Sequence, residues 1–332
     1  MAETISQEPF FSAVVLNWNT LDLLKKNLAA LSSQTFRSFE IIVVDNGSSD
    51  GSREYFESEE FRRFGCKCVR LPENVGFAAG MNEGLRMASG DWLMPLNVDV
   101  FLAPDFFAEA AKAIARQPEA TMLGPLIYRY DRERGESGEV LCTFVVPTRF
   151  LSLATPLDDP FTERFVFAPG GCAPLLKKAE LFKAAIPSEL SSSGKTEFYD
   201  ERYFAYGEDI DLYLRLNALG GKALYAPGIK CHHVHSGSQE GVRWFEKSPA
   251  TITRLGANAL DTCIKNLRGF CFCKTFVLLF LAPLGRALCL LFKAPSKFFA
   301  PLKTYALFFK RLSLSKKMRA YFESLKPQTK QS

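Results

Sequence analysis

Gly90-Asp91-Trp92-Leu93-Met94-Pro95-Leu96-Asn97-Val98-Asp99-Val100-Phe101 is the stretch on which the fold turns. Trp92, Leu93, Met94 and Leu96 make a near-continuous apolar run, the pattern of a strand buried on both faces in a parallel sheet. The run stops at Asn97-Val98-Asp99, where two oxygen-bearing side chains stand two residues apart. Positions i and i+2 of a strand face the same side. Asn97 and Asp99 are therefore placed to address one ligand at the carboxyl edge of a sheet, where open α/β folds bind theirs. The pair suits a divalent cation held against a diphosphate. On these residues alone, a polar turn is the commoner meaning of Asn and Asp.

The flanking sequence favours the ligand. Phe10 to Leu16 is a β-rich run ending at Asn17-Trp18-Asn19, and Leu21, Leu24, Leu28 and Leu31 then fall at helical spacing. Asn19 or Thr20 is the expected cap of that helix. Glu40 to Val44 reads as a second buried strand, closed by Asp45-Asn46-Gly47-Ser48-Ser49-Asp50-Gly51, with Asp50 placed to cap the next helix. Cys68 to Leu71 gives a third strand, and Asn74-Val75-Gly76-Phe77-Ala78-Ala79-Gly80 opens another helix. Strands alternating with helices through short polar loops predict a parallel, right-handed, doubly wound half. Its loops sit at the carboxyl ends of strands, so Asn17, Asp45, Asn74 and Asp99 are expected to converge on one crevice. No G-x-G-x-x-G follows the first strand and no G-K-[ST] occurs where a P-loop needs one. An acid ending the second strand suits a base or ribose contact, and equally an Asx turn.

A chain of 332 residues suits one large or two modest domains. Its nine Cys form no C-x-x-C pair and no secretory signal opens the sequence, which points to free thiols in a reducing, cytoplasmic compartment. The net charge of +5 hides an asymmetry: Thr262 to Ser332 holds 14 Lys/Arg and one acid, leaving 27 basic and 35 acidic residues elsewhere. A mildly acidic body with a basic, aromatic-rich tail suits a domain resting on an anionic membrane rather than on nucleic acid. Phe276 to Phe292 is strongly apolar but interrupted by Pro283, Gly285 and Arg286, whereas a spanning helix wants about 20 uninterrupted apolar residues. The reading is one or two amphipathic helices lying on the inner leaflet, the alternative being a helical cap on the preceding domain.

Between these ends, Pro104 to Arg116 reads as a helix, Arg129 to Glu139 as a mobile loop, and Ser188 to Gly194 as a disordered insertion. Glu208-Asp209 follows a Tyr206-Gly207 turn and precedes Leu212, Leu214, Leu216 and Leu219, so both acids open a helix. Acids are favoured there on structural grounds alone. All three His lie at His232, His233 and His235, after an apolar strand from Ala223 to Ala226.

Taken in order, Val14-Val15-Leu16-Asn17-Trp18-Asn19, Val43 to Gly51, Pro72 to Ala78 and Asn97-Val98-Asp99 resemble the family 2 glycosyltransferases of the GT-A fold. Within that family they are most similar to the rhamnosyltransferase-like enzymes of bacterial surface polysaccharide synthesis. The resemblance resumes at Pro169-Gly170-Gly171-Cys172, continues through Asp200 to Leu212, and ends at Ser236-Gly237-Ser238. It implies an α/β, GT-A type fold: a Rossmann-like, mostly parallel sheet with an antiparallel acceptor-side portion, followed by C-terminal amphipathic helices. The expected domains are a flexible 1–9, a catalytic 10–250 divided into a nucleotide-sugar half (10–101) and an acceptor half (102–250), a basic helical 251–325 and a flexible 326–332.

By the same resemblance Asp45 reads the nucleotide base, with Asn17, Asn46, Asn74, Phe77 and Asn97 on the donor side. Asp99 holds Mg²⁺ or Mn²⁺ on the diphosphate. Asn97 departs from a strict D-x-D, so the cation has one fewer anionic ligand, a change this subgroup commonly carries. His233 is the expected second metal or diphosphate ligand, with His232 next. Asp209 is the expected base and Glu208 orients the acceptor, while Asp211 is structural. The Gln239 to Trp244 segment misses the Q-x-x-R-W spacing of processive synthases by one residue. The implied activity is metal-dependent, inverting sugar transfer, rhamnose being the first expectation. The donor would be a nucleotide-diphosphate sugar and the acceptor a lipid-linked saccharide or polysaccharide at the cytoplasmic membrane face. Two rivals are a catalytically silent sugar-nucleotide-binding subunit and a nucleotidyltransferase. The latter wants a Gly-rich, basic loop after the first strand, which Asn17-Trp18-Asn19-Thr20 does not supply.

Overall fold

The computed structural model describes residues 9–131, 135–141, 145–146, 153–154, 159–234 and 243–326. In chain order its first elements are β1 (Phe11–Asn17), α1 (Leu21–Ser32), β2 (Phe39–Asp45), α2 (Ser52–Tyr55), α3 (Glu59–Arg62), β3 (Lys67–Arg70) and α4 (Phe77–Met87). Then come β4 (Trp92–Asn97), β5 (Val100–Leu102), α5 (Phe106–Arg116), β6 (Met122–Asp131), β7 (Gly135–Leu141), β8 (Val145–Val146), β9 (Leu153–Ala154), β10 (Arg164–Val166) and β11 (Leu175–Lys177). The last are α6 (Lys178–Lys183), α7 (Glu208–Ala218), β12 (Ala223–His233), α8 (Pro249–Asn266), α9 (Gly269–Lys293) and α10 (Phe299–Ser324). They fall into two compact units, one formed by 1–145, 154–182 and 221–234, the other by 146–153, 183–220 and 235–332.

The first unit is built on a ten-stranded sheet in the order β10-β12-β6-β11-β4-β1-β2-β3, with β5 on β12 and β7 on β6. The run β4-β1-β2-β3 is all parallel, as the strand-helix alternation predicts. Antiparallel β11 joins it to β6, which pairs in parallel with β12. Strand β1 is enclosed because α1 covers it with Leu24, Leu28 and Leu31. Helix α4 is close to β1 and β2: a Cβ on Gly84 would lie 2.3 Å from Val14 Cγ1 and 2.8 Å from Val44 Cγ2. Arg129 to Glu139 departs from the expected loop at its flanks, since β6 and β7 pair through Asp131 opposite Gly135.

The second unit is helical and contains a buried charge network. Lys265 Nζ, from α8, lies 2.6 Å from Asp200 and 2.9 Å from Asp211, all three buried. Asp200 also binds Arg202 at 2.6 Å, and Asp211 binds Arg215 at 3.1 Å one turn along α7. The paired cations hold the buried Asp200 carboxyl well below the usual range against the opposing effect of burial. Arg215 further donates to the carbonyls of Ala184 and Phe198. Asp211 is thus a structural acid, as expected. Ser188 to Gly194 is not a disordered insertion: buried Glu197 accepts hydrogen bonds from the backbone N–H groups of Ser192, Ser193 and Glu201. Three donors converging on one carboxylate fix a loop whose composition alone suggests none.

Helices α8, α9 and α10 pack through Leu260, Ile264, Phe272, Phe276, Phe280 and Phe308. Helix α9 continues through Pro283, Gly285 and Arg286 without a break. Pro283 removes one backbone donor but sits on the buried side, with Ala287 and Leu290, where its ring packs. Among the described residues α9 is the one helix long and apolar enough to cross a membrane.

The tight approach of α4 gives a direct test. Gly84→Val should destabilise the protein by roughly 1–3 kcal/mol through overpacking against Val14 and Val44. Urea unfolding measures it, and an unchanged midpoint would contradict the packing.

Candidate active site

In-register pairing puts Asn17 opposite Asp45 and Leu16 opposite Asn97, so β1, β2 and β4 end at one level. Four of the expected donor-side residues, Asn17, Asp45, Asn46 and Asn74, spend hydrogen bonds there on one another and on the loops. Buried Asn17 donates through Nδ2 to Asp45 Oδ1 (3.3 Å), Ser48 Oγ (3.2 Å) and Ser52 Oγ (2.9 Å). Its Oδ1 accepts from Thr20 Oγ1 at 2.9 Å. Neither Thr20 nor Asn19 caps α1 through its side chain; the Leu21 N–H is instead taken by Asp50 Oδ2 at 2.9 Å. The reason is competition: Thr20 is turned toward Asn17, and Asn19 Oδ1 accepts from Ser49 N at 2.7 Å.

Asn46 clips the loop after β2 to the loop before α4. Its Nδ2 donates to Asn74 Oδ1 and to the Gly76 carbonyl, each at 3.1 Å, and its Oδ1 accepts from Val75 N at 3.0 Å. The two loops touch so closely that only glycine fits at Gly47, where φ is +73° and a Cβ would lie 2.5 Å from the Glu73 backbone. Asp45 is buried beside this clip, and half-buried Phe77 opens α4.

Beyond β4, the chain turns through Asp99 into β5, where Val100 pairs with His233 and Phe101 with His232 of β12. That register brings His233 Nε2 to 3.2 Å from Asp99 Oδ1, both side chains nearly buried. Successive strand residues face opposite ways, and His232 is stacked on Tyr128 instead, with ring centroids 5.5 Å apart. Burial opposes charge on His233, but neighbouring Cys172 and the Asp99 carboxylate outweigh it and push its pKa up to about 10. His235 and Ser236-Gly237-Ser238 lie outside the described residues, as do Gln239 to Gly241.

Asn97 ends β4 half-buried, its backbone N–H donating to the Cys172 carbonyl at 2.9 Å. Asn27 of α1, which the sequence reading missed, holds the same turn by donating to the Val100 carbonyl at 2.7 Å. The available signal was an amide inside the apolar stripe Leu24, Leu28 and Leu31.

A divalent ion fits Asp99 and His233 in spacing and donor type, provided that it displaces the proton which the Asp99 and Cys172 neighbourhood otherwise keeps on His233. A carboxylate oxygen and an imidazole nitrogen about 3 Å apart can share one cation with ligand bonds near 2.1 Å. Among the described residues no group of three His, Cys, Asp or Glu forms a ready-made metal cluster. Other ligands would have to come from phosphate and water, as hard cations accept.

Glu208 and Asp209 belong to the second unit, where they open α7 after Gly207 in the left-handed region at φ 88°. Glu208 is buried, and its Oε2 has no hydrogen-bond partner. Burial first, and the charge of Asp209 second, push its pKa up to about 8. Half-buried Asp209 accepts from Ile210 N at 2.8 Å; burial raises its pKa, while the backbone N–H groups of Ile210 and Asp209 favour its ionised form. Two adjacent carboxyls in unequal surroundings differ in their hold on a proton. Glu208 tends to keep a proton near neutrality, and Asp209 is the better placed to be the ionised member.

Comparison with known proteins agrees with this architecture. A model of "Glycosyl transferase family 2" matches residues 12–181, just over half the chain. The N-acetylglucosaminyl-diphospho-decaprenol L-rhamnosyltransferase of Mycobacterium tuberculosis is 27% identical over 231 residues, covering 64% of this chain and 73% of that one. The uncharacterized glycosyltransferase YfnE of Bacillus subtilis is 34% identical over 129 residues, 38% of this chain and 33% of that one. In three dimensions, the crystal structure of S. aureus TarS 1-349 in complex with UDP-GlcNAc superposes with a TM-score of 0.57 over 96% of this chain and 93% of that one. At 15% identity this likeness speaks for the fold alone, a GT-A glycosyltransferase fold. With sheet, motifs and family model in agreement, the chain belongs to glycosyl transferase family 2 and is a glycosyltransferase.

Proposed function

We propose that this protein transfers a sugar, rhamnose in the first instance, from a nucleotide-diphosphate sugar to a lipid-linked or polysaccharide acceptor, inverting the anomeric centre. The observation that carries the reading is the Glu208-Asp209 pair at the start of α7, one carboxyl buried with an oxygen lacking a partner. In the proposed reaction Asp209 takes the proton of the acceptor hydroxyl as its oxygen attacks the anomeric carbon, and the nucleoside diphosphate leaves with the electrons of the broken bond. Glu208 orients that hydroxyl, its retained proton keeping a second negative charge away from the attacking oxygen. A positioned base of this kind is worth about 10²–10⁴ in rate. Asp45 and Phe77 are assigned to base and ribose. Asn17, Asn46, Asn74 and Asn97 are assigned to shaping the loops that receive them. Asp99 and His233 would hold Mg²⁺ or Mn²⁺, which when bound neutralises charge on the diphosphate. Rhamnose and a lipid-linked acceptor are suggested by the mycobacterial relative's name.

We further assign residues 251–325 to the cytoplasmic face of the membrane. Along α9, Val277, Leu281, Leu284, Leu288, Leu291 and Phe292 are exposed, Phe292 to 89%. Spacings of three, four and seven put most of them on one face, adjoining the packed side rather than facing directly away from it. The segment from Thr262 onward carries 14 Lys/Arg against one acid. An apolar face on a cationic segment suits insertion into an anionic leaflet lying in its plane.

Three outcomes test these assignments. Asp209→Asn should lower donor turnover about 10²–10⁴-fold with the fold intact; a variant with wild-type turnover removes Asp209 as the base. Glu208 has a folded pKa raised from 4.5 to about 8, so its contribution to stability is complete below 4.5 and lost as pH rises through about 8. Wild-type Tm should therefore fall between about pH 5 and pH 8 more steeply than that of Glu208→Gln, and parallel curves would contradict the buried carboxyl. The double variant Leu281→Glu, Leu288→Glu should abolish co-sedimentation with phosphatidylglycerol vesicles, and undiminished pelleting would remove α9 from the membrane.

A further inference from the structure

The chain entering the Glu208-Asp209 pair is bent in a way few sequences tolerate. Phe204 has φ 64°, Tyr206 φ 75° and Gly207 φ 88°, so three of four consecutive residues have positive φ and two of them carry side chains. Such residues are strained and persist only where the surroundings over-determine them. Here one side chain faces the whole turn. Asn258 of α8 is buried, and its Nδ2 lies 3.1 Å from the Tyr203 carbonyl, 3.1 Å from that of Ala205 and 2.8 Å from that of Tyr206.

The orientation of this amide is fixed from behind. Asn258 Oδ1 accepts from Arg311 Nη1 at 2.9 Å, and the same guanidinium donates to Asp261 Oδ2 at 3.2 Å and to the Arg202 carbonyl. A flipped amide would aim its oxygen at three carbonyl oxygens and its N–H groups at a cation, so only one orientation is compatible with the site. Asp261 is held in turn by Ser315 Oγ at 2.8 Å, and Tyr203 OH lies 2.7 Å from Thr262 Oγ1. Arg254, one turn before Asn258 on α8, has its guanidinium 4.0 Å from the centroid of the Phe204 ring.

We propose that Asn258 is a positioning residue for the Glu208-Asp209 pair, and that Arg311 on α10 locks it in place. Helices α8 and α10 thereby complete the turn that presents the carboxyls, a role separate from any contact with lipid. The inference rests on the reading of Glu208 and Asp209 as the reacting carboxyls. The geometry explains why a small amide stands at 258: it alone offers two N–H donors toward three carbonyls and an oxygen toward the guanidinium.

The test pairs Asn258→Ala with wild type in peptide-resolved hydrogen exchange and in Mn²⁺-dependent hydrolysis of dTDP-rhamnose. Exchange should rise about tenfold over Tyr203 to Asp209 while the rest of α7 and α8 keeps its protection. Hydrolysis should lose about 10–100-fold in kcat, the cost of misplaced reacting groups, with KM for the donor within about threefold. Wild-type exchange over the turn together with wild-type kcat would overturn the proposal, as would a loss of protection spread evenly over the helices. Should Asn258→Ala not fold, Arg311→Lys, which keeps the charge and loses the fork, is held to the same two criteria. Asp209→Asn in the same assay separates the two ideas. An inactive Asp209→Asn beside a fully active Asn258→Ala removes only the positioning role, whereas a fully active Asp209→Asn removes the catalytic reading itself.

Discussion

Parallel pairing of β1 with β2 on one side and β4 on the other fixes the level at which three strands end. Each partner is in register along its whole paired length, so a shift by one residue would move Asn17 away from Asp45 and reverse the face of every following side chain. Burial enforces that register, because β1 and β4 are enclosed on both faces and the buried polar residues of β1 have partners only in this alignment: Ser12 donates to Glu40 and Asn17 to Ser52. The loops then have little freedom. Asn17 ties the first to the second, Asn46 ties the second to the third, and Asn27 holds the turn that carries Asp99.

The second unit resolves a different constraint. Asp200, Asp211 and Asp261 are buried with Arg202, Lys265, Arg215 and Arg311, and each acid touches at least one cation. Buried ion pairs add little net stability against apolar replacements, but removing one partner costs about 3–5 kcal/mol. Such a network therefore works as a specification of geometry more than as a store of stability. It joins α7, α8 and α10 around the turn before Glu208. Glu208 stands apart from it, since desolvation without a cation is what drives its pKa upward.

Much of this was legible in the sequence because it depends on local pattern. The apolar run ending at Asn97, the strand-helix alternation through Met87 and the acids opening α7 all have a period or a cap to read. The spacing of Asn97 and Asp99 suggested two side chains aimed at one ligand; the structure pairs Asp99 with His233, because strand β5 begins at Val100 and binds β12. What stayed hidden depends on partners distant in sequence. The serine-rich segment before Glu197 looks disordered until its buried carboxylate is seen collecting N–H groups. Pro283 looks like a break until it is found on the packed side of α9. Asn258 and Arg311 carry no motif, and their roles follow only from the carbonyls and carboxylates that tertiary packing sets against them.

In the function proposed above, Asp99, at the carboxyl edge of this sheet, would bind the donor diphosphate through a divalent cation. Titration calorimetry of dTDP-rhamnose and UDP-sugars into wild type and Asp99→Ala, with Mn²⁺ or with EDTA, addresses it most directly. One nucleotide sugar should bind wild type only with Mn²⁺ and lose at least about tenfold in affinity on Asp99→Ala, as expected when a charged ligand of a hard cation is removed. Equal affinity in EDTA, or in the Asp99→Ala variant, would contradict it.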